Sequence, residues 1–144
     1  MRAADLHRLA RTLRDIALQA TQNTGDDRVN AGELAVLEDI AKHPSSTVGD
    51  ITARTGLAQS LVSRITRTMA DAGVLTIAPD PADRRKVRVA LENATRHAIL
   101  ERADNPATDA IALATPGLTG RERDALENHL AAAAALLHRG IRNE

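Results

Sequence analysis

The chain has no cysteine and no Phe, Tyr or Trp in 144 residues. Without cysteine there is no disulfide framework, no thiolate metal site and no thiol redox sensor. Without aromatic rings the core must be Leu, Ile, Val, Met and Ala. Modules that stack RNA or single-stranded bases on aromatic faces are disfavoured as well. Duplex DNA makes no such demand, because arginines, short polar side chains and a helix in a groove can read it. No apolar run approaches the ~18 residues of a membrane span. The amphipathic, Arg-rich N-terminus is interrupted by Asp5 and Asp15, unlike a transit peptide. There is no Gly-rich phosphate loop, nucleophile elbow or HExxH. His7, His43, His97, His129 and His138 offer no His-x-x-x-His pair. These observations point to a cytoplasmic, non-enzymatic protein of one domain, with no metal, cofactor or membrane partner.

Formal net charge is zero, but it is unevenly spread: residues 54–88 hold seven Lys/Arg against three Asp/Glu. A basic segment on an otherwise acidic chain is a footprint for a polyanion.

Periodicity predicts a first helix over 4–21, with Leu6, Leu9, Leu13, Ile16 and Ala20 on one stripe and Gly25 as its stop. Asn30 with Glu33 reads as a capping box. It opens a helix over 31–42 that turns Leu34, Leu37 and Ile40 inward and stops before Pro44. Thr47 with Asp50 caps a short helix that ends at Gly56, followed by a helix over 59–71. Two β-branched runs, 74–78 and 86–91, flank Asp80-Pro81 and predict a hairpin with a type I turn there. The helical segment 94–114 should break near Asn105, before Pro106. Thr119 and Glu122 open a last helix to about residue 139, with Leu126, Leu130, Leu137 and Ile141 in its stripe.

A short helix, a glycine turn and a longer helix form a helix-turn-helix. Ile51, Val62, Ile65 and Met69 make its shared core, and the Thr52 hydroxyl needs a partner there. The open face of the second helix carries Gln59, Ser60, Ser63, Arg64 and Arg67, side chains suited to phosphates and base edges in a major groove. The hairpin that follows has Arg84, Arg85, Lys86 and Arg88 about its tip and second strand. Asp83 stands two residues before Arg85 and can aim its guanidinium at an adjacent minor groove. The fold class is therefore mainly α with a β-hairpin wing. The winged helix-turn-helix lies at about 30–92, flanked by terminal helices at 4–21 and 94–141. Stripes this apolar on terminal helices call for burial against a second copy.

The phrases LAQSLVSRITRTMADAGVL and DPADRRKVRVAL resemble the recognition helix and wing of the MarR family of bacterial transcriptional regulators. The resemblance spans nearly the whole chain. It implies a homodimer with intertwined terminal helices that binds a palindromic operator in double-stranded DNA as a repressor; it leaves room for a small-molecule effector, which nothing in the sequence identifies. It also implies that Arg85, held by Asp83, enters the minor groove. Activation instead of repression stays open, as does a winged helix that binds protein and not DNA.

Overall fold

A computed structural model describes residues 1–23, 25 and 28–141. Its helices are α1 (Ala3–Ala20), α2 (Ala31–Lys42), α3 (Val48–Thr55), α4 (Gln59–Asp71), α5 (Asn93–Ala103), α6 (Thr108–Ala114) and α7 (Gly120–Ile141). Its strands are β1 (Ser46–Thr47), β2 (Leu75–Pro79) and β3 (Val87–Leu91). The chain divides into two compact units, Thr21–Asn105 and Met1–Ala20 with Pro106–Glu144.

In the Thr21–Asn105 unit, two capping boxes set the helix starts. The Asn30 side chain accepts from the Glu33 N–H at 2.9 Å, and the Glu33 carboxylate accepts from the Asn30 N–H at 2.8 Å. Thr47 and Asp50 repeat the arrangement at 3.1 and 2.9 Å. Val36, Leu37, Ile40, Ala41, Ile51, Val62, Ile65, Met69, Leu75, Val89 and Leu91 form one buried cluster. Leu34, expected inside, is only half-buried, while Val36 and Ala41 are fully enclosed. α2 is packed by α3, α4, α5 and β3, so burial extends beyond a single stripe.

The sheet has three strands in the order β1-β3-β2, one more than the hairpin read from sequence. β1 is only two residues long, too short to show an alternating pattern. It pairs Ser46 with Val89 and Thr47 with Arg88. β2 begins at Leu75, not Val74, and Leu75, Ile77 and Pro79 lie opposite Leu91, Val89 and Val87. The wing turn also differs from the expectation. Asp80 and Pro81 begin the tip, but the backbone bond that closes a turn there runs from the Lys86 N–H to the Asp83 carbonyl at 2.9 Å.

The other unit is helical. α1 packs on α6, and α6 on α7. Ile16, Ala110 and Ile111 are buried with Ala20, Leu126 and Leu130 against them. α1 stops at Ala20, and the first left-handed residue after it is Gln22 (φ 56°), ahead of the expected stop Gly25 (φ 91°). Pro106 lies between α5 and α6, and the break assigns these two helices to different units. At the start of α7, Glu122 accepts from the Thr119 N–H at 2.7 Å, and Thr119 Oγ1 accepts from the Glu122 N–H at 3.3 Å. No described helix is long and apolar enough to cross a membrane.

Candidate nucleic-acid interface

The helix-turn-helix closes at Gly56, where φ is +70° and the N–H donates to the Thr52 carbonyl at 3.0 Å. A side chain is strained in that conformation, so glycine suits it. Val62, Ile65, Thr66 and Met69 of α4 face inward, and the Thr66 hydroxyl is satisfied by the Ser63 carbonyl at 3.1 Å. Thr52 differs: its buried hydroxyl finds no partner among the described residues. Gln59, Ser60, Arg64 and Arg67 stand exposed on the outer face, with Ser63 half-buried beside them. No carboxylate pairs with Arg64 or Arg67 among the described residues, which leaves both guanidiniums free for a ligand. Ala58 offers α4 no side-chain cap, so its first amides keep donor capacity as well.

The wing tip is organised by two carboxylates. Asp83 Oδ1 accepts from the Arg85 N–H at 3.1 Å and from Arg85 Nε at 3.2 Å, while the Arg85 side chain remains 91% exposed. The side-chain bond from Arg85 holds the Asp83 carboxyl below its ordinary range. Arg84 and Lys86 are exposed beside it. Asp80 is buried, and its Oδ1 accepts from the Ala82 and Asp83 amides at 2.7 and 3.3 Å. The Ala82 amide, with lesser help from Arg88, lowers the Asp80 carboxyl too.

Two of the seven cations in the basic segment are committed inside the fold. Arg54 forks onto Asp39, with Nε at 2.9 Å from Oδ1 and Nη2 at 2.8 Å from Oδ2, and also donates to Ser46 Oγ at 2.6 Å. Arg88 Nε lies 3.0 Å from Asp80 Oδ2, and its Nη1 donates to the Ser45 carbonyl. The outward cations are therefore Arg64, Arg67, Arg84, Arg85 and Lys86. Asp80 and Arg88 were not among the site residues read from sequence. An arginine within a strand one residue from buried Val89 was the only hint, and it names no partner.

A helix-turn-helix followed at once by a hairpin with a basic tip is a winged helix. Residues 29–86, from before α2 to the wing tip, match the family model described as the MarR family. This segment of the chain matches the MarR family. Comparison with curated proteins gives no sequence match. Among solved structures, Bordetella bronchiseptica BpsR is similar, with 25% identity over 89% of this chain and 96% of that one and a TM-score of 0.59. Apo MarR from E. coli is 18% identical over 92% of this chain and 97% of its own, with a TM-score of 0.66. A mutant E. coli MarR complexed with operator DNA gives 18% identity, 90% and 91% coverage and a TM-score of 0.62. The MarR fold thus extends across the chain, beyond the segment matched by the family model.

Proposed function

We propose that this protein is a MarR-family transcriptional repressor that binds a roughly palindromic operator as a homodimer. The observation that carries the reading is the free pair Arg64 and Arg67 on the open face of α4, in one compact unit with a basic wing tip. Gln59, Ser60, Ser63, Arg64 and Arg67 are assigned to the major groove. Arginine matches guanine O6 and N7 as a fork there, and short polar side chains near a helix N-terminus suit phosphates. Arg85, aimed by Asp83 and flanked by Arg84 and Lys86, is assigned to the minor groove and its phosphates. The relative complexed with operator DNA supports this use of the fold.

The homodimer reading rests on the terminal unit, where Leu113, Leu136, Leu137 and Ile141 are 60–73% exposed. So much exposed apolar surface on one helical unit marks an interaction face. A small-molecule effector is supported by a cavity of about 210 Å³ within the Thr21–Asn105 unit. Leu34, Leu37, Val74 and Ile99 line it, with Glu38 and Arg102 as charged groups. BpsR is described as regulated in its DNA binding by 6-hydroxynicotinic acid.

The test is selection of bound sequences from a random duplex pool, followed by binding titrations at rising salt. An inverted-repeat motif with affinity that falls as salt rises is expected. A chain that enriches no duplex sequence and shows no salt-dependent retention is not a DNA-binding regulator.

A further inference from the structure

We propose that Arg88 is a positioning residue, tying the wing to the turn between α2 and α3 and so setting where the wing tip meets DNA; this rests on the DNA-binding reading above. The guanidinium joins two places far apart in sequence. On one side it pairs with Asp80 at 3.0 Å, and on the other it donates to the Ser45 carbonyl. Asp80 is only 5% exposed at its side chain, so it needs a charged partner. Its second oxygen holds the Ala82 and Asp83 amides, the first residues of the tip. One carboxylate therefore takes the arginine on one face and the tip backbone on the other.

The Ser45 end is equally constrained. Ser45 stands at φ +63°, a left-handed conformation uncommon outside glycine. Its neighbour Ser46 accepts from Arg54, donates to the His43 carbonyl at 2.6 Å, and sits in β1. Arg54 in turn forks onto Asp39 of α2. A connected path thus runs from Asp39 through Arg54, the Ser45–Ser46 turn, Arg88 and Asp80 to the tip amides. A two-stranded hairpin is marginal on its own in water, and β1 supports β3 over only two residue pairs. The direction of the outer wing relative to α3 and α4 then depends on this tie. Lysine cannot replace it, because a point charge lacks the guanidinium fork.

Two measurements test the tie. Duplex binding is measured for the parent, Arg88→Ala, Arg85→Ala and the double variant. Arg88→Ala should weaken binding ~10-fold in the parent but less than ~2-fold in the Arg85→Ala background, because its effect runs through the tip. Additive losses would mean that Arg88 touches DNA itself, and would overturn the proposal. In the DNA-free protein, hydrogen exchange at the Ala82 and Asp83 amides should be ~10-fold faster in Arg88→Ala. Unchanged exchange also overturns it. The exchange result decides the tie without DNA, whereas a parent chain that binds no duplex sinks the DNA-binding reading instead. Should Arg88→Ala lose its fold by circular dichroism, Arg88→Lys takes its place in both measurements, with the same results expected and the same results overturning the tie.

Discussion

At the scale of single residues, Thr52 is the place where this helix-turn-helix is not satisfied. Its hydroxyl is buried without a partner among the described residues, one turn before the Gly56 corner. A buried, unpaired hydroxyl costs on the order of 1 kcal/mol or more, and threonine is a poorer helix former than alanine. Thr52→Ala should therefore leave stability equal or raise it by about 1 kcal/mol, minus the packing lost with one methyl group. Urea unfolding at fixed protein concentration measures it, and a loss above ~1 kcal/mol would show that the hydroxyl is bonded in solution. Residues acting through neighbours were the legible ones. Asn30 with Glu33, Thr47 with Asp50 and Thr119 with Glu122 each close within three positions, and all three boxes form. Asp83 with Arg85 is as local and pairs as the sequence suggests. Asp80 with Arg88, and Arg54 with Asp39, depend on which strand or helix folds beside which. Nothing in the order of residues announced that two of the basic segment's arginines serve the fold.

At the scale of elements, the wing is the part whose order should depend on pH. Folding lowers both the Asp80 and Asp83 carboxyls, the first chiefly through the Ala82 amide and the second chiefly through the Arg85 side chain. A carboxyl lowered in the folded state stabilises it fully above the unfolded value, about 4. That stabilisation is lost as pH falls through the folded value. Wing order should thus be complete at neutral pH and decline only in acid below that range. Exchange-resistant tip amides at pH 4 to 7 are expected, and a tip that loosens between pH 7 and 6 would contradict this. The α4 helix carries a different prediction. Arg64→Ala should cost about 1–3 kcal/mol on the preferred operator and relax base preference at particular positions. Arg85→Ala should weaken binding across sequences and lower the salt slope by about one unit. Titrations against single-base operator variants at several salt concentrations separate the two, and an Arg85→Ala chain with parental affinity and slope would remove the wing from the interface. Both ends of α4 were legible, because polar and apolar residues alternate at helical spacing from Gln59 and Gly73 stops continuation. β1 was not, since two residues carry no period and its existence is decided by the edge that β3 leaves open.

At the scale of the whole molecule, the proposed homodimer rests on the terminal helices. Ile16, Ala110 and Ile111 are buried within the protomer, but Leu137 and Ile141 on the same α7 stripe as Leu126 and Leu130 remain outside. The sequence stripe showed that an apolar face exists; only the protomer shows which half of it lacks a cover. Leu137 is 63% exposed already, so a charge there costs the isolated protomer little. If α7 packs on a second copy, the same charge is driven into an apolar interface, where an unpaired ion costs several kcal/mol. Leu137→Glu should therefore shift sedimentation equilibrium at micromolar concentration from dimer toward monomer. The Thr21–Asn105 unit has its own buried cluster and should keep its helical signal. Operator affinity should fall by ~100-fold or more, because a second head bound in the same complex acts at millimolar effective concentration. Affinity for a half-site should change little, which distinguishes lost dimerisation from a damaged reading head. A parent chain that sediments as a stable folded monomer, or a Leu137→Glu chain that remains dimeric with full operator affinity, would place the partner surface elsewhere.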